Sequence, residues 1–139
     1  MSHSGNHWAN RCDQGQATAF ITILMSAFVL CLGLVYDGGQ VLRTKDRATV
    51  LAQEAARAGA QQIDWAAYRE GEGATLDPLA AGRAARAFLA DTGTGGTVSV
   101  SGETVTVTCS LSHDFTLLPL GSVTVDGTAS ARPFSEPTP

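Results

Sequence analysis

The sequence contains few aromatic and few charged residues: Phe, Trp and Tyr make up 6% of the 139 residues, and Asp, Glu, Lys and Arg make up 16%. The formal net charge is −4, which excludes a strongly basic nucleic-acid-binding protein, and no nucleic-acid partner is expected. The hydrophobic fraction of 44% excludes a disordered chain of low hydrophobicity. The length excludes a multidomain enzyme, so one small, mildly acidic domain is the expectation.

Patterns typical of catalysis and of cofactor binding are also scarce. Three histidines are present: His3, His7 and His113. No Gly-x-Ser-x-Gly motif accompanies them, so no Ser-His-Asp site can be assigned. The first two histidines and Cys12 could hold a metal, but a solvated tail is the simpler interpretation. The glycines within 93–96 precede no Gly-Lys-Ser/Thr, which favours a flexible connection over a phosphate-binding loop. We predict no enzyme, no metal and no cofactor.

Charge is absent from the run Ala17 to Tyr36, ATAFITILMSAFVLCLGLVY. A helix of this length spans about 30 Å, the thickness of the hydrocarbon core of a bilayer. A buried core helix is the alternative, but the rest of the chain is too small to surround one. A cleaved secretory signal would be shorter and would end in small residues, whereas this run ends in Tyr36 and Asp37. We therefore predict an uncleaved transmembrane helix over residues 16–36, with the lipid bilayer as its partner.

The basic residues beside this run leave its orientation open. Arg11 precedes the run, while Arg43, Lys45 and Arg47 follow it. A count of Lys and Arg near the span puts the C-terminal side in the cytoplasm.

Small side chains recur at helical spacing after the span. Val41, Ala48 and Ala55 are seven residues apart, and Leu51 and Ala58 each follow one of them by three. This stripe predicts a helix-packing interface, against either the protein's own sheet or a neighbouring helix, and the sheet is favoured because its valines need a cover. If Gly38 and Gly39 do not break it, one helix runs from about Gln16 to Ile63.

The remaining sequence predicts a small mixed domain. Residues 64–75 are expected to form a loop or a frayed helix end, in which Trp65 and Tyr68 form either a binding surface or a core edge. Asp77 and Pro78 predict the start of a helix that ends near Thr92. Alternating residues then predict a hairpin with its turn at 101–103, an apolar crossing over 115–120 and a third strand over 123–131.

The predicted fold class is therefore α+β. A long N-terminal transmembrane helix extends into a small domain that has a second helix and a three-stranded antiparallel sheet. The predicted units are an N-terminal tail or leader over 1–15, the transmembrane helix over 16–36, an α+β domain over 37–132 and a disordered tail over 133–139.

The three cysteines occupy different predicted environments. Cys12 precedes the span, Cys31 lies within it and Cys109 lies in a strand. Cys31 is expected to act as a small apolar packing residue. For Cys109, burial on the inward face of the strand is the simpler interpretation, and a bridge to a second chain is the alternative.

The order of these parts resembles one bacterial family. Gly15 is followed directly by a long apolar helix, then by Asp37-x-Gly39, an Ala-rich helix ending in AQEAARAGA, and strands closing with TVDGTASA. In this order the chain, from Asp13 to Pro133, resembles the TadE/TadG-like proteins. These are pseudopilin-like accessory components of tight-adherence (Flp-type) pilus systems.

The resemblance implies a single-pass bacterial membrane protein with a cytoplasmic N-terminus and an extracytoplasmic C-terminal domain. It also implies prepilin-peptidase-type processing between Gly15 and Gln16, with other pilin-like subunits and an inner-membrane assembly platform as partners. TadE-type members place a Glu five residues after the glycine, where this sequence has Phe20, as in the TadG-type pattern. A membrane-tethered module that binds an external ligand is the second function to be weighed.

Overall fold

The computed structural model describes residues 10–71 and 73–134, with side chains from Gln16 onward. The chain forms a mixed α+β fold, which confirms the predicted class: a long apolar N-terminal helix, further helices and a three-stranded antiparallel sheet. The elements in chain order are α1 (Asn10–Ala60), α2 (Trp65–Arg69), α3 (Pro78–Asp91), β1 (Gly95–Ser101), β2 (Thr104–Asp114) and β3 (Ser122–Ala131).

Helix α1 is one continuous helix of 51 residues, about 77 Å long at 1.5 Å per residue. Its two halves have different surroundings. Only 6% of its most apolar 18-residue stretch is buried. The later half packs against β3, β2 and α3. The first half of α1 is therefore an exposed apolar segment, and the second half forms one side of the domain core.

Gly38 and Gly39 do not break this helix, and a Cβ atom at either position would meet no described atom within 4 Å beyond its chain neighbours and the adjacent backbone of its own helix. Glycine weakens a helix because it loses more backbone entropy on folding than alanine does. We expect Gly38→Ala and Gly39→Ala each to raise the free energy of unfolding by about 0.5–1 kcal/mol. Thermal unfolding of the full chain in detergent micelles measures this change. A lower unfolding temperature in either variant would contradict the open surroundings of these two glycines.

The sheet has the order β1-β2-β3, with antiparallel pairing throughout. Ser101 pairs with Thr104 across the predicted turn, where Gly102 has a φ of +56°. Val105, Val107 and Cys109 of β2 are fully buried, as expected for the apolar residues of the predicted alternation, which face the core. The outward half of the alternation consists of Ser and Thr, whose hydroxyl groups pair across the strands at 2.9 and 3.0 Å.

Helix α3 begins and ends where the capping residues predict. The Asp77 side chain accepts hydrogen bonds from the N–H groups of Leu79 and Ala80, Pro78 occupies the first turn, and Thr92 is the C-cap. The core between α1, α3 and the sheet is built largely from small residues: Ala48, Ala52, Ala55, Ala56, Ala81 and Ala85, with Leu76, Leu89, Val105, Val107 and Cys109. Small side chains let the helix axes approach the sheet closely.

The closest such approach is at Gly127 in β3. A Cβ atom at this position would overlap the backbone of Ala48 and Thr49 in α1. Backbone atoms inside a helix cannot turn aside as a flexible side chain can. The packing of α1 on β3 therefore requires glycine at residue 127.

A short helix, α2, occupies part of the segment that was expected to be a loop or a frayed helix end. Asp64 is its N-cap, and the carboxylate accepts hydrogen bonds from the N–H groups of Ala66 (2.9 Å) and Ala67 (3.2 Å). Within five residues no apolar period can be recognised, so only the capping residue signals such a helix. The bridge between Ile63 and Leu76 closes the segment at its base.

Candidate functional site at the end of the apolar run

Asp37 is the first charged residue after the apolar run, and its side chain is completely buried. The carboxylate accepts hydrogen bonds from three consecutive backbone N–H groups. Thr116 donates at 3.3 Å, Leu117 at 3.0 Å and Leu118 at 2.8 Å. Both carboxylate oxygens take part, because Leu117 also donates to Oδ1 at 3.4 Å. Successive N–H groups that converge in this way form an anion-binding concavity, and here the anion is a side chain of the same protein.

The three donors belong to the loop between β2 and β3, residues 115–121, which we call the boundary loop. Its two ends are joined by the hydrogen bond from the Phe115 N–H to the Gly121 carbonyl (3.0 Å). Leu120 donates to the carbonyl of Leu118 at 2.8 Å, and Gly121 takes a φ of +78°, a conformation that favours glycine. The loop is thus closed on itself, and the N–H groups of Thr116, Leu117 and Leu118 are turned towards α1.

Gly33, one helical turn before Asp37, lies against the same loop. A Cβ atom on Gly33 would be 3.7 Å from Leu117 Cβ and 3.7 Å from Leu118 Cδ2. Asp37 and Gly33 therefore place the boundary loop on one face of α1, across the end of the apolar run. We call this arrangement the Asp37 junction.

The two parts of the junction were each visible in the sequence, as Asp37-x-Gly39 and as an apolar crossing over 115–120. Their contact was not predicted. The donors lie 79 to 81 residues from Asp37, and a contact at that separation leaves no periodic pattern in the sequence. The one available signal was an acid directly after a span, where an unpaired charge is costly and needs a partner.

The predicted helix-packing residues lie on the side of α1 that faces the domain. Ala48 and Ala55 are fully buried in the core, and Val41, Leu51 and Ala58 are half-buried. Their cover within this chain is the sheet together with α3.

The predicted processing residues lie far from the domain. Gly15 and Gln16 are within α1, and Gln16 is exposed. Phe20 is also exposed, with 67% of its surface accessible. The tail over residues 1–9, with His3 and His7, lies outside the described residues, as do the side chain of Cys12 and the residues 135–139 of the predicted C-terminal tail.

Trp65 and Tyr68 are exposed on α2, with their rings edge to face at a centroid distance of 5.9 Å. The helix that carries them has no buried residue. The pair therefore does not cover a core edge and lies free on the surface of the domain.

Cys109 is fully buried, and its burial raises the pKa of the thiol. A bridge from Cys109 to a second chain would require the sheet and α1 to separate. Cys31 is exposed on the apolar half of α1. Among the residues that the structure describes, no group of His, Cys, Asp and Glu is arranged to hold a metal ion.

Residues 15–62 match the model of the Tad family, described as Flp pilus-assembly TadE/G-like. This part of the chain is similar to the TadE/G-like family. The match confirms the resemblance for the apolar run, Asp37-x-Gly39 and the Ala-rich helix that ends in AQEAARAGA. Comparison with curated proteins and with solved structures gives no match. The boundary loop, α3 and the sheet lie outside the matched segment, so the Asp37 junction joins the TadE/G-like helix to the part that follows it.

Proposed function

We propose that this protein is a membrane-anchored, minor pilin-like or pseudopilin-like component that assists assembly of a Flp-type pilus or a related secretion system. The observation that carries the proposal is the TadE/G-like match over residues 15–62. The role is structural, with other pilin-like subunits and an inner-membrane assembly platform as the expected partners.

Membrane anchoring is supported by the exposure of the apolar run. Leu24, Leu30 and Val35 are each more than half exposed, although each is strongly apolar. A core helix of a soluble domain would bury such side chains, and an exposed apolar surface of this length fits hydrocarbon. Continuity of α1 into the domain core favours an anchor that is retained over a signal that is removed.

We further propose that residues 1–15 are cytoplasmic and that the α+β domain over 37–132 is extracytoplasmic, as in the family. Arg43, Lys45 and Arg47 oppose this orientation by their charge, and all three are exposed on α1. Long extracytoplasmic domains are translocated largely regardless of nearby charge, which weakens that opposition.

Deletion of the gene tests the assembly function. Loss of pili, surface adhesion or secretion, restored by the wild-type gene supplied in trans, is the expected result. Unchanged pili, adhesion and secretion in the deletion strain would contradict the proposal. A secretion ATPase and an inner-membrane platform protein encoded nearby would favour it.

N-terminal sequencing of the membrane-extracted protein tests processing. A start at Gln16 supports cleavage of the prepilin-peptidase type after Gly15. A start at Met1 or Ser2 contradicts processing and leaves the protein as a simple anchor.

A membrane-tethered module that binds an external ligand is the second candidate function, and the exposed Trp65–Tyr68 pair favours it. If the pair binds a ligand, Trp65→Ala with Tyr68→Ala is expected to reduce adhesion of cells several-fold while pili still assemble. Stability should change by less than about 0.5 kcal/mol, since neither side chain is buried. Leu79→Ala, which removes another exposed apolar side chain, is the matched control. Adhesion of the Trp65→Ala, Tyr68→Ala double variant equal to that of Leu79→Ala would remove the support for this function.

A further inference from the structure

The tip of the boundary loop exposes apolar side chains, which the described part of the chain leaves uncovered. Leu117 and Leu120 are 58% and 65% exposed, and Pro119 between them is also exposed. No charged residue occurs between Phe115 and Gly121. A tight, closed loop with leucines at its tip is unusual on a surface that meets only water.

The position of the loop along α1 points to what covers it. Leu117 and Leu118 lie beside Gly33, which is three residues before the end of the apolar run at Tyr36. At 1.5 Å per residue, the loop contact lies about 5 Å inside that end. The neighbouring side chains of α1 at this level, Leu32 and Leu34, are exposed and apolar. The leucines of the loop continue the apolar surface of the helix.

The sheet brings the loop to this level. Gly127 packs against Ala48, and the donors of the loop bind Asp37. From Ala48 to Asp37 the helix rises about 17 Å, and β3 from Gly127 back to Ser122 covers about 17 Å. Strand and helix therefore run side by side, so that the loop emerges at the end of the apolar run.

We propose that the boundary loop inserts its tip, Leu117 to Leu120, into the interfacial region of the lipid bilayer beside α1. This inference rests on the proposed membrane anchoring. The loop is a second attachment to the membrane, and Asp37 holds it against the helix. Two attachments fix the rotation and tilt of the domain relative to the bilayer, whereas a single helix leaves both free.

Asp37, at the end of the apolar run, and the boundary loop stabilise each other. A carboxylate at the edge of hydrocarbon is costly when it is unpaired. Three N–H groups of the loop surround it, so the loop both shields the charge from lipid and is positioned by it.

Tryptophan fluorescence of the full chain, reconstituted into phosphatidylcholine and phosphatidylglycerol vesicles with brominated acyl chains, tests the proposal. Trp8→Phe and Trp65→Phe give a background without tryptophan, into which L120W, L24W or L79W is placed singly. L24W lies within the apolar run and reports the anchor. L79W is the matched control, because Leu79 is 78% exposed on α3, which packs near Gly59 at the far end of α1.

L24W and L120W are both expected to show blue-shifted emission that bromine quenches. Bromine near the headgroups should quench L120W most strongly. L79W should not be quenched. Quenching of L24W without quenching of L120W would overturn the inference and leave the anchor intact. Blue-shifted but unquenched L120W would show that protein covers the loop, and would also overturn it. Quenching of L79W would show that the domain lies flat on the bilayer, which would overturn the specific insertion of the boundary loop. Absence of quenching for L24W would overturn the anchor itself and the inference that rests on it.

Discussion

Gly127→Ala is expected to lower the free energy of unfolding of the α+β domain by about 3 kcal/mol, the upper part of the range for overpacked cores. The added Cβ would overlap the backbone of Ala48 and Thr49, so α1 must move away from β3. That movement opens the contact between the alanine stripe and the sheet. Urea unfolding of the full chain in micelles, followed by circular dichroism, measures the loss.

Gly38→Ala is the control for this substitution, since it adds the same methyl group to α1 at a position where no other described part of the chain lies within 4 Å. The two variants should change stability in opposite directions. An unfolding midpoint for Gly127→Ala equal to that of the wild type would show that α1 and β3 are further apart than described.

Asp37→Ala is expected to lower the free energy of unfolding by a comparable amount, about 3 kcal/mol. It leaves three partly buried N–H groups without their acceptor, at a cost of up to about 1–3 kcal/mol each that water partly relieves. The loss should be concentrated in the boundary loop. Hydrogen exchange at the amides of Thr116, Leu117 and Leu118 should accelerate more than exchange in β2. Local opening of a segment is the usual response when its fixing contact is removed.

Asp46→Ala is the matched control for Asp37, as it removes the same charge from an exposed position on the same helix. Asp37→Asn keeps one acceptor oxygen, so its loss of stability and its increase in exchange at the loop amides should lie between those of Asp37→Ala and Asp46→Ala. Unchanged exchange at Leu117 and Leu118 in Asp37→Ala would show that the carboxylate does not hold the loop.

Local features of this fold were predictable because each rests on neighbouring residues. Asp77 and Pro78 predict the start of α3, and Gly102 predicts the turn of the hairpin, since capping and turn formation depend on a few adjacent residues. The period of two along β2 predicts its buried face. The long apolar helix follows from the absence of charge between Ala17 and Tyr36.

The contacts that assemble these parts were not predictable from the same patterns. Gly127 stood within the motif TVDGTASA, but only the approach of α1 shows why a side chain does not fit there. The pairing of Asp37 with the boundary loop depends on the register of β3 against α1. Each is a contact between distant residues, which single-sequence periodicity does not encode.

The Asp37 junction connects the two halves of the proposed function. The TadE/G-like segment ends within the domain core, at residue 62, and the boundary loop returns to the same helix at the level where lipid is expected to end. A component that assists pilus assembly must present its domain to its partners in a defined orientation. Under the proposed anchoring, a helix clamped at its exit from the membrane would provide that orientation.

The central claim is that α1 anchors the protein in the membrane and holds its α+β domain outside the cytoplasm. Fusion of alkaline phosphatase or of a fluorescent protein after Pro139 tests it most directly, because the first is active only outside and the second folds in the cytoplasm. An active phosphatase fusion and a dark fluorescent fusion, both in the membrane fraction, are the predicted result. An inactive phosphatase fusion together with a bright fluorescent fusion would place the domain in the cytoplasm and would contradict the claim.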